Sequence, residues 1–344
     1  MNAAKIASIS AAVPKEKVDL LDLGFDADTM KRTMKLTGCH SVRYAPKDKT
    51  PLDYCLAACQ EIIDKTGISK EDIDGIISVT AHQDYIRPGN TGLIQSRLGL
   101  SKRCIVFDVT HSCTGMIYGF YLANLLIKSS DCHNVLVCCG DTVSHHLNPR
   151  DRALRTVVGD GGAVGLVSAG GKVESRFSFL HDGYGWNYLC TPAGGERMPI
   201  CPGKTDQETV DADGNYRTLE EEYMDGMEVM RFVMNEIPPL VDEVLQKSGW
   251  TKDELNVISM HQANDYIVKT LARHMRVPKD KVLSDIDGNG NIGGASAAMA
   301  LCHANEKPHE TWQKSLLIAF GAGMSGAAMT ADLSDTMILP VVEI

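Results

Sequence analysis

Two glycine-rich turns, each leading into a strand of small residues, occur in the two halves of this chain. The first is TVVGDGGAVGLVSA, residues 156–169, and the second is LIAFGAGMSGAAMTADL, residues 317–333. Upstream of each turn, helix-like stretches alternate with β-like stretches: DYCLAACQEIIDKTG is followed by IDGIISVTA, and LVDEVLQKSG is followed by LNVISMHQ. The alternation predicts an α/β protein built of layered βα units, and the repeated turn predicts an internal duplication.

The length of the chain, 344 residues, favours two packed halves over one undivided core. Between the two turns, residues 195–223 are polar and rich in turn-forming residues, which is typical of a segment that crosses the surface. We therefore predict a first half over residues 1–170, a surface excursion and linker over residues 171–222, and a second half over residues 223–344.

The net charge and the spacing of the cysteines argue against several classes of protein. A formal net charge of -10 argues against a nucleic acid or an anionic membrane as the main partner. No stretch has the pattern of a secretory signal or the length of a membrane span, so we expect a soluble, cytoplasmic protein. The eleven cysteines contain no C-x-x-C pair and the histidines no H-E-x-x-H spacing, so neither a disulfide scaffold nor a metal site is expected.

One cysteine, Cys113, lies where the chain changes from a strand to a helix. The run CIVFDV, residues 104–109, predicts a buried strand, and GMIYGFYLANLLIKSS, residues 115–130, predicts a central helix that is apolar on nearly every side. The N-terminus of a helix favours a thiolate over a thiol, because its free N–H groups and its dipole stabilise negative charge. Taken alone, the stretch fits a reactive nucleophile and an ordinary small buried cysteine equally well.

Two further stretches place polar side chains at similar turns. NVISMHQAND, residues 256–265, is a strand that ends in His261, with Asn264 and Asp265 available to cap the next helix. DIDGNGNIGGASAAMAL, residues 285–301, is a glycine-dense turn that carries Asn291 ahead of a helix of small residues. Because α/β folds gather their chemistry at such turns, Cys113, His261 and Asn291 together predict an active site.

These motifs together resemble those of ketoacyl synthase III, the condensing enzymes of the thiolase fold. The resemblance also includes AFGAGMSGAAM near the C-terminus, and it extends over essentially the whole chain; its other motifs are NPRDRALRTVVGDGGAVGLV, TGCHSVRY (residues 37–44) and IQSRLGL (residues 94–100). It implies a five-layered αβαβα fold with two duplicated halves, usually assembled as a homodimer.

The resemblance also implies a mechanism. Cys113 attacks an acyl thioester and keeps the acyl group as a covalent intermediate. His261 and Asn291 then hold the thioester oxygen of a malonyl-type substrate while it loses carbon dioxide and becomes an enolate. The backbone N–H groups of Cys113 and Ala322 form the oxyanion hole for the condensation. The substrates are thioesters of coenzyme A or of acyl carrier protein, and no cofactor is permanently bound.

Several positions differ from the pattern of the fatty-acid initiating members. Arg152 matches the arginine that stacks on the adenine of coenzyme A, whereas Arg32 and Leu36 stand where those members carry a tryptophan and an arginine. We assign the coenzyme A contacts to Arg152, Arg32 and Asn264. The other departures along this path are Asp265 and Tyr266 at the tunnel mouth and Met227 and Met230 beside the pantetheine tunnel.

Arg87 stands where many relatives place a phenylalanine that enters the acyl pocket of the partner subunit. Two interpretations of Arg87 remain. In the first, its side chain faces solvent or an interfacial carboxylate, because an unpaired arginine is rarely buried. In the second, it enters that pocket and selects a polar acyl group. His111, beside the nucleophile, is interpreted as a packing or interface residue.

Three functions fit these residues. The favoured one is decarboxylative condensation in a specialised fatty-acid or polyketide-like pathway, because the residues that grip coenzyme A are altered. The alternatives are a non-condensing acyltransferase of the same fold and a catalytically silent dimer subunit. The Cys113, His261 and Asn291 set argues against the silent subunit, and Asn291 argues against the non-condensing enzyme.

Overall fold

The computed structural model describes residues 3–305 and 309–344. Within these ranges the chain forms eight α-helices: α1 Ala27–Thr37, α2 Pro51–Thr66, α3 Asn90–Leu98, α4 Gly115–Lys128, α5 Arg152–Arg155, α6 Gly226–Ser248, α7 Asp265–Met275 and α8 Ser296–His303. Short 3₁₀ turns cover Leu20–Leu23, Lys70–Asp72, Val143–His146, Gly183–Gly185, Lys252–Glu254, Lys279–Lys281, Gly293–Ala295 and His309–Thr311.

The strands of the described residues are, in chain order, β1 Ala3–Val13, β2 Val18–Asp19, β3 Ser41–Val42, β4 Gly75–Thr80, β5 Ile105–Thr110, β6 Asn134–Asp141, β7 Gly161–Gly171, β8 Arg176–His181, β9 Leu189–Cys190, β10 Thr209–Val210, β11 Tyr216–Arg217, β12 Tyr223–Met224, β13 Val257–Met260, β14 Ser315–Gly321, β15 Ser325–Ala331, β16 Met337–Ile338 and β17 Val342–Glu343. Most of them belong to two large sheets.

The two large sheets repeat one topology. In the first, the order is β16-β1-β7-β6-β4-β5, with β17 also beside β1; in the second, it is β13-β14-β15-β8. β1 is antiparallel to β7, β7 is antiparallel to β6, and β6 is parallel to β4. In the second sheet, likewise, β8 is antiparallel to β15, β15 is antiparallel to β14, and β14 is parallel to β13. The predicted duplication is therefore present in the strand order.

Helices cover both faces of each sheet, which gives the five αβαβα layers. α2 packs on the outer face of the first sheet, against β1, β6 and β7, and α6 packs on the second, against β8, β14 and β15. α4 and α8 contact both sheets and form the middle layer. Their side chains, such as Phe120 and Met299, lie in one buried cluster with strands of both sheets. This explains why the sequence of α4 is apolar on nearly every side.

Local sequence signals fix the ends of the outer helix α2. Thr50 and Asp53 form a capping box, Pro51 occupies the first helical position, and Gly67 ends the helix in a left-handed conformation. The helix then buries its apolar side chains against the first sheet. The helices and strands expected around the two repeated turns, including α2 with β4 and α6 with β13, are confirmed.

The predicted linker over residues 171–222 is wrong in its first part. Arg176–His181 forms strand β8, which pairs with β15 and places Phe177 and Phe179 against the main core. At the other end, β16 and β17 from the second half pair with β1 of the first. The second sheet therefore includes a strand from the predicted linker, and the first sheet includes two short strands from the end of the second half.

The prediction of a buried strand before Cys113 is also wrong for the single chain. β5 is the edge strand of the first sheet, paired on one side with β4. Val106 and Phe107 are 44% and 43% exposed. Apolar composition indicated a strand correctly, but the other edge of that strand has no partner among the described residues.

None of the helices in the described part of the chain combines the length and the apolar character needed to cross a membrane.

Candidate active site

Cys113, His261 and Asn291 come together at one cavity of about 90 Å³ between the two halves. Each lies at the end of a strand or in the turn before a helix of the middle layer, as the sequence predicted. The remaining wall is formed by Ser112, Val143, Leu154, Val157, Val158, Leu189, Glu222, Met224, Val229, Ala263, Asn264, Ile267, Gly293, Phe320 and Gly321. Among the described residues, no group of histidine, cysteine and carboxylate side chains is arranged to hold a metal ion.

Cys113 sits on the tight turn between β5 and α4. The backbone N–H of Gly115 donates to the carbonyl of Ser112 over 2.7 Å, and the Ser112 hydroxyl lies 3.5 Å from the Cys113 sulfur. Gly321 approaches from the second half so closely that a Cβ there would lie 2.5 Å from that sulfur. Cys113 is only 7% exposed, so its sulfur is reached through the cavity.

The Cys113 thiol is protonated at rest. Burial raises its pKa to about 11, and the charge of Glu222 adds to the effect, whereas hydrogen bonds from Ser112 and from the backbone of Ala322 oppose it. The expectation that the helix N-terminus would favour the thiolate is therefore wrong, because desolvation of the sulfur outweighs the donors around it.

His261 follows β13 directly and is held through its Nδ1 atom. Nδ1 lies 3.1 Å from the carbonyl oxygen of Gly293 and 2.8 Å from the hydroxyl oxygen of Ser296. Because a carbonyl can only accept, this network assigns the proton to Nδ1 and leaves Nε2 as an acceptor in the neutral ring. Burial lowers the pKa of His261 to about 4, so the resting imidazole is neutral.

Asn291 is clamped by backbone hydrogen bonds to the first half of the chain. Its N–H donates to the carbonyl of Val157 over 2.6 Å, and its carbonyl accepts from the N–H of Gly159 over 3.0 Å. A Cβ on Gly159 would lie 1.8 Å from the Asn289 carbonyl, so only glycine permits this approach. The Oδ1 atom of Asn291 accepts from the N–H of Gly293, which leaves its NH₂ group free to donate to a ligand.

The turn after β14 brings Ala322 to the nucleophile. The backbone N–H of Ala322 makes a hydrogen bond to the Cys113 thiol, and its carbonyl accepts from the hydroxyl of Ser325 over 2.7 Å. A backbone donor is thus fixed beside the reactive sulfur.

The three residues assigned to coenzyme A occupy different places. Asn264 lines the cavity and caps α7, where its Oδ1 accepts from the N–H of Ile267 over 2.8 Å. Arg152 is half-buried at the start of α5, and Arg32 is exposed on α1 with a hydrogen bond to Thr29. Neither arginine lines the cavity itself.

The positions that depart from the family pattern lie around the cavity rather than in it. Met227 is 82% exposed and Met230 is half-buried on α6. Arg87 is exposed on the loop before α3, so it does not contribute to the acyl cavity of its own chain. His111 packs its ring 4.4 Å from that of Tyr118 and accepts from the N–H of Ser112, in keeping with a packing role.

At the tunnel mouth, the side chains that follow Asn264 face away from the cavity. The carboxylate of Asp265 accepts from the hydroxyl of Ser284 over 2.7 Å and pairs with Lys269. Tyr266 is exposed. Leu36, at the end of α1, is exposed too.

Sequence reasoning missed one side chain of the cavity, Glu222. The pairing of β12 with β9 carries it to the cavity, with its own N–H donating to the carbonyl of His146. Burial raises the pKa of Glu222 to about 7, opposed by the charge of His82 and reinforced by Asp141. In the sequence Glu222 is one of three consecutive glutamates, and nothing distinguishes it from Glu220 and Glu221.

Comparison with known proteins agrees with this geometry. The family model described as 3-oxoacyl-acyl-carrier-protein (ACP) synthase III matches residues 107–183, and the model of its C-terminal part matches residues 245–333. The β-ketoacyl-acyl-carrier-protein synthase III of Caldanaerobacter subterraneus subsp. tengcongensis is 31% identical, with 95% of this chain and 96% of that protein covered.

Solved structures show the same fold along the whole chain. A crystal structure of a 3-oxoacyl-(acyl-carrier-protein) synthase III is 29% identical, with a TM-score of 0.89 and coverage of 96% of this chain and 99% of that one. The 3-oxoacyl-(acyl-carrier protein) synthase of Burkholderia xenovorans LB400 is 26% identical, with a TM-score of 0.92 and coverage of 99% and 97%. This chain therefore belongs to the ketoacyl synthase III family and is an acyltransferase of the β-ketoacyl synthase III type with a thiolase fold.

Substitution of Gly321 tests how closely the second half approaches the nucleophile. Gly321→Ala should slow reaction of Cys113 with an acyl thioester by about a hundredfold, because the new methyl group displaces the sulfur by roughly 1 Å. The rate is measured as mass gain on Cys113. Gly195→Ala, where no atom lies within 4 Å of the added methyl, is the matched control. Equal rates for both variants would contradict the close approach.

Substitution of Glu222 tests the burial of its carboxyl group. Its folded pKa of about 7 exceeds its ordinary value of 4.5, so the stability that it contributes is present below pH 4.5 and lost as the pH rises through 7. Glu222→Gln, which is neutral throughout, should therefore gain about 2 kcal/mol over wild type between pH 5 and pH 8. Denaturant unfolding at both pH values measures this difference, and an equal difference at both would contradict a buried carboxyl.

Proposed function

We propose that this enzyme catalyses the decarboxylative condensation of an acyl thioester with a malonyl-type thioester through an acyl-cysteine intermediate. The observation that carries the proposal is the convergence of Cys113, His261 and the free amide of Asn291 on one cavity. A nucleophile, a proton acceptor and a fixed donor are the groups that this reaction requires.

In the first half-reaction, the sulfur of Cys113 attacks the carbonyl carbon of the acyl thioester. The thiol must lose its proton in this step, since its pKa is raised to about 11. His261 supplies the acceptor, because its neutral ring carries the proton on Nδ1 and leaves Nε2 open. The bond from the carbonyl to the carrier sulfur breaks, and the proton passes from His261 to that sulfur, which leaves as a thiol.

In the second half-reaction, the malonyl carboxylate leaves as carbon dioxide and its electron pair forms an enolate. The NH₂ group of Asn291 donates to the enolate oxygen, which stabilises the developing charge more than the ground state. His261 donates to the same oxygen from Nε2 once it holds a proton. The enolate carbon attacks the acyl carbonyl, the bond to Cys113 breaks, and that proton passes to the departing sulfur, so one proton is consumed in each condensation.

Both half-reactions pass through a tetrahedral oxyanion on the acyl carbon bound to Cys113. We assign its stabilisation to the backbone N–H groups of Cys113 and Ala322. The hydrogen bond from Ala322 to the Cys113 sulfur supports this assignment, because that donor already lies beside the atom to which the acyl group becomes attached.

The carriers follow from the names of the relatives and from the mouth of the cavity. The relatives are synthases that act with acyl carrier protein, and we propose thioesters of that protein or of coenzyme A as substrates. We assign contacts with the pantetheine arm to Asn264, which lines the cavity, and contacts with the nucleotide of coenzyme A to Arg152 and Arg32. Lys269, Arg273 and Lys279 border a neighbouring groove, which suits an acidic carrier protein.

We propose a specialised fatty-acid or polyketide-like pathway rather than general fatty-acid initiation, and the altered residues along this path support the proposal. Leu36 and Tyr266 are exposed, and Met227 points into solvent, so none of them reproduces the polar or aromatic contacts of the initiating members. The eleven cysteines are free thiols in the structure, which fits the cytoplasmic location that we propose.

We also propose that the enzyme is a homodimer, with a second copy pairing at the open edge of β5. That edge exposes backbone groups together with the apolar side chains of Val106 and Phe107. An uncovered edge of this kind invites another strand. The nearby loop exposes Ile86 and Arg87, and in such a dimer Arg87 is available to the acyl pocket of the partner.

The separate roles of Cys113 in acylation and Asn291 in decarboxylation can be tested by measuring the two half-reactions separately. Asn291→Ala should slow release of carbon dioxide from a malonyl thioester by about a hundredfold while acylation of Cys113 is little changed, because one enolate donor is lost. Acylation is read by intact mass and decarboxylation by labelled carbon dioxide. Cys113→Ala serves as the control that cannot be acylated. Equal loss in both half-reactions, or an acyl mass on Cys113→Ala, would refute the roles assigned.

The assembly can be tested at the same edge. Phe107→Lys should convert the dimer to a monomer in light scattering, because it places a charge in the proposed strand pairing. Val173→Lys, a similarly exposed valine beyond the end of β7, should leave the dimer intact. A dimer that survives Phe107→Lys would place the interface elsewhere.

A further inference from the structure

One acidic side chain, Glu222, stands in an otherwise apolar part of the Cys113 cavity. Its neighbours in the wall form a hydrophobic cluster that extends under α5, and β9 pairs with β12 beside it. The apolar side chains of this part are Val143, Leu154, Val157, Leu189 and Met224.

The carboxyl group of Glu222 has no hydrogen-bond or ion-pair partner among residues 3–305 and 309–344. Its backbone N–H is bound to His146, so the chain position is fixed while the side chain faces the cavity. The Glu222 side chain is half-buried, and a carboxyl group partly withdrawn from water without a partner is costly to the fold. Glu222 therefore lowers the stability of the fold, and a ligand in the cavity can supply the hydrogen bond that its carboxyl group lacks.

Two of the charged groups near Glu222, Asp141 and His82, contact each other. Asp141 accepts from the hydroxyl of Thr80 over 2.8 Å and from the N–H of Ala81 over 2.9 Å. His82 lies 3.5 Å from Asp141 and stacks on His146 at 4.0 Å between ring centroids. Among residues 3–305 and 309–344 of one chain, His82 is paired with Asp141, and no cation lies within ion-pair distance of the Glu222 carboxyl.

We propose that Glu222 anchors a hydroxyl group on the acyl donor, so that the enzyme prefers short hydroxyacyl thioesters to plain alkanoyl thioesters. This inference rests on the acyl-cysteine function proposed above. A hydroxyl group can donate to the carboxylate and can accept from the protonated carboxyl group, so it satisfies Glu222 in either state. The cavity volume of about 90 Å³, close to that of three water molecules, suits a short acyl group.

Other acyl groups fit this cavity less well. A plain alkyl chain would bury Glu222 further without giving it a partner. A carboxylated chain would place a second negative charge beside Glu222 and Asp141, which like-charge repulsion disfavours. A hydroxyl group meets the carboxyl without adding charge, and it leaves the pairing of His82 with Asp141 intact.

The test is a competition for Cys113 between thioesters of pantetheine, the arm that both proposed carriers share. Butanoyl, 3-hydroxybutanoyl and 4-hydroxybutanoyl pantetheine are offered in pairs to the full-length enzyme, and the acyl masses on Cys113 are compared at early times. In wild type, at least one hydroxybutanoyl group should be taken about tenfold faster than butanoyl, the effect of one hydrogen bond to a charged group.

Three variants of Glu222 and one control variant make the result specific. Glu222→Leu and Glu222→Met, the second closer in length to glutamate, should favour butanoyl instead, and Glu222→Gln should keep part of the hydroxyl preference because its amide still accepts. Glu236→Gln, an exposed glutamate of α6 outside this cavity, should behave as wild type.

The outcomes separate the two proposals. Acylation of wild type without a hydroxyl preference, or a preference unchanged in whichever apolar variant folds, overturns the role of Glu222 and leaves the acyl-cysteine function standing. Failure of every thioester to acylate Cys113 overturns the proposed function, and the hydroxyl anchor with it.

Discussion

The site depends on one backbone contact between the two halves of the chain. Residues 157–159 and Asn291 exchange hydrogen bonds as a short parallel bridge, which ties the glycine turn of the first half to the loop of the second. Gly293, two residues further on, orients both the Asn291 amide and the His261 ring. Because that bridge positions the loop before α8, the donor and the proton acceptor of one half reach the nucleophile of the other without depending on long, flexible side chains.

Local signals in the sequence predicted much of the fold and the turns that bring Cys113, His261 and Asn291 to one cavity. The capping box at Thr50 and the glycine after α2 act within a few residues, so they can be read without knowing the tertiary structure. The resting state of Cys113 could not be predicted in this way, because its pKa depends on how deeply other parts of the chain bury it. Glu222 escaped notice for the same reason, since only the pairing of β12 with β9 distinguishes it from adjacent acids.

Cys113 and His261 are both uncharged at rest. Burial raises the pKa of Cys113 and lowers that of His261, so the two groups remain neutral side by side instead of forming a thiolate and an imidazolium. A stored thiolate would be open to oxidation and to reaction with any electrophile that entered. In the reaction proposed above, charge develops when a thioester occupies the cavity and the fixed donors are already in place, which lowers the barrier without reorganising the protein.

Strand β5 runs directly into the turn that carries Cys113, and its outer edge is open. A strand that pairs with a second copy is fixed in register, and a slip to the next matching register would move it by two residues, about 7 Å. The pairing of the two subunits would then fix the position of β5 along the sheet, and with it the position of the turn that carries Cys113. A subunit that dissociates from its partner on dilution would then keep Cys113, His261 and Asn291 but lose the strand register that positions the Cys113 turn.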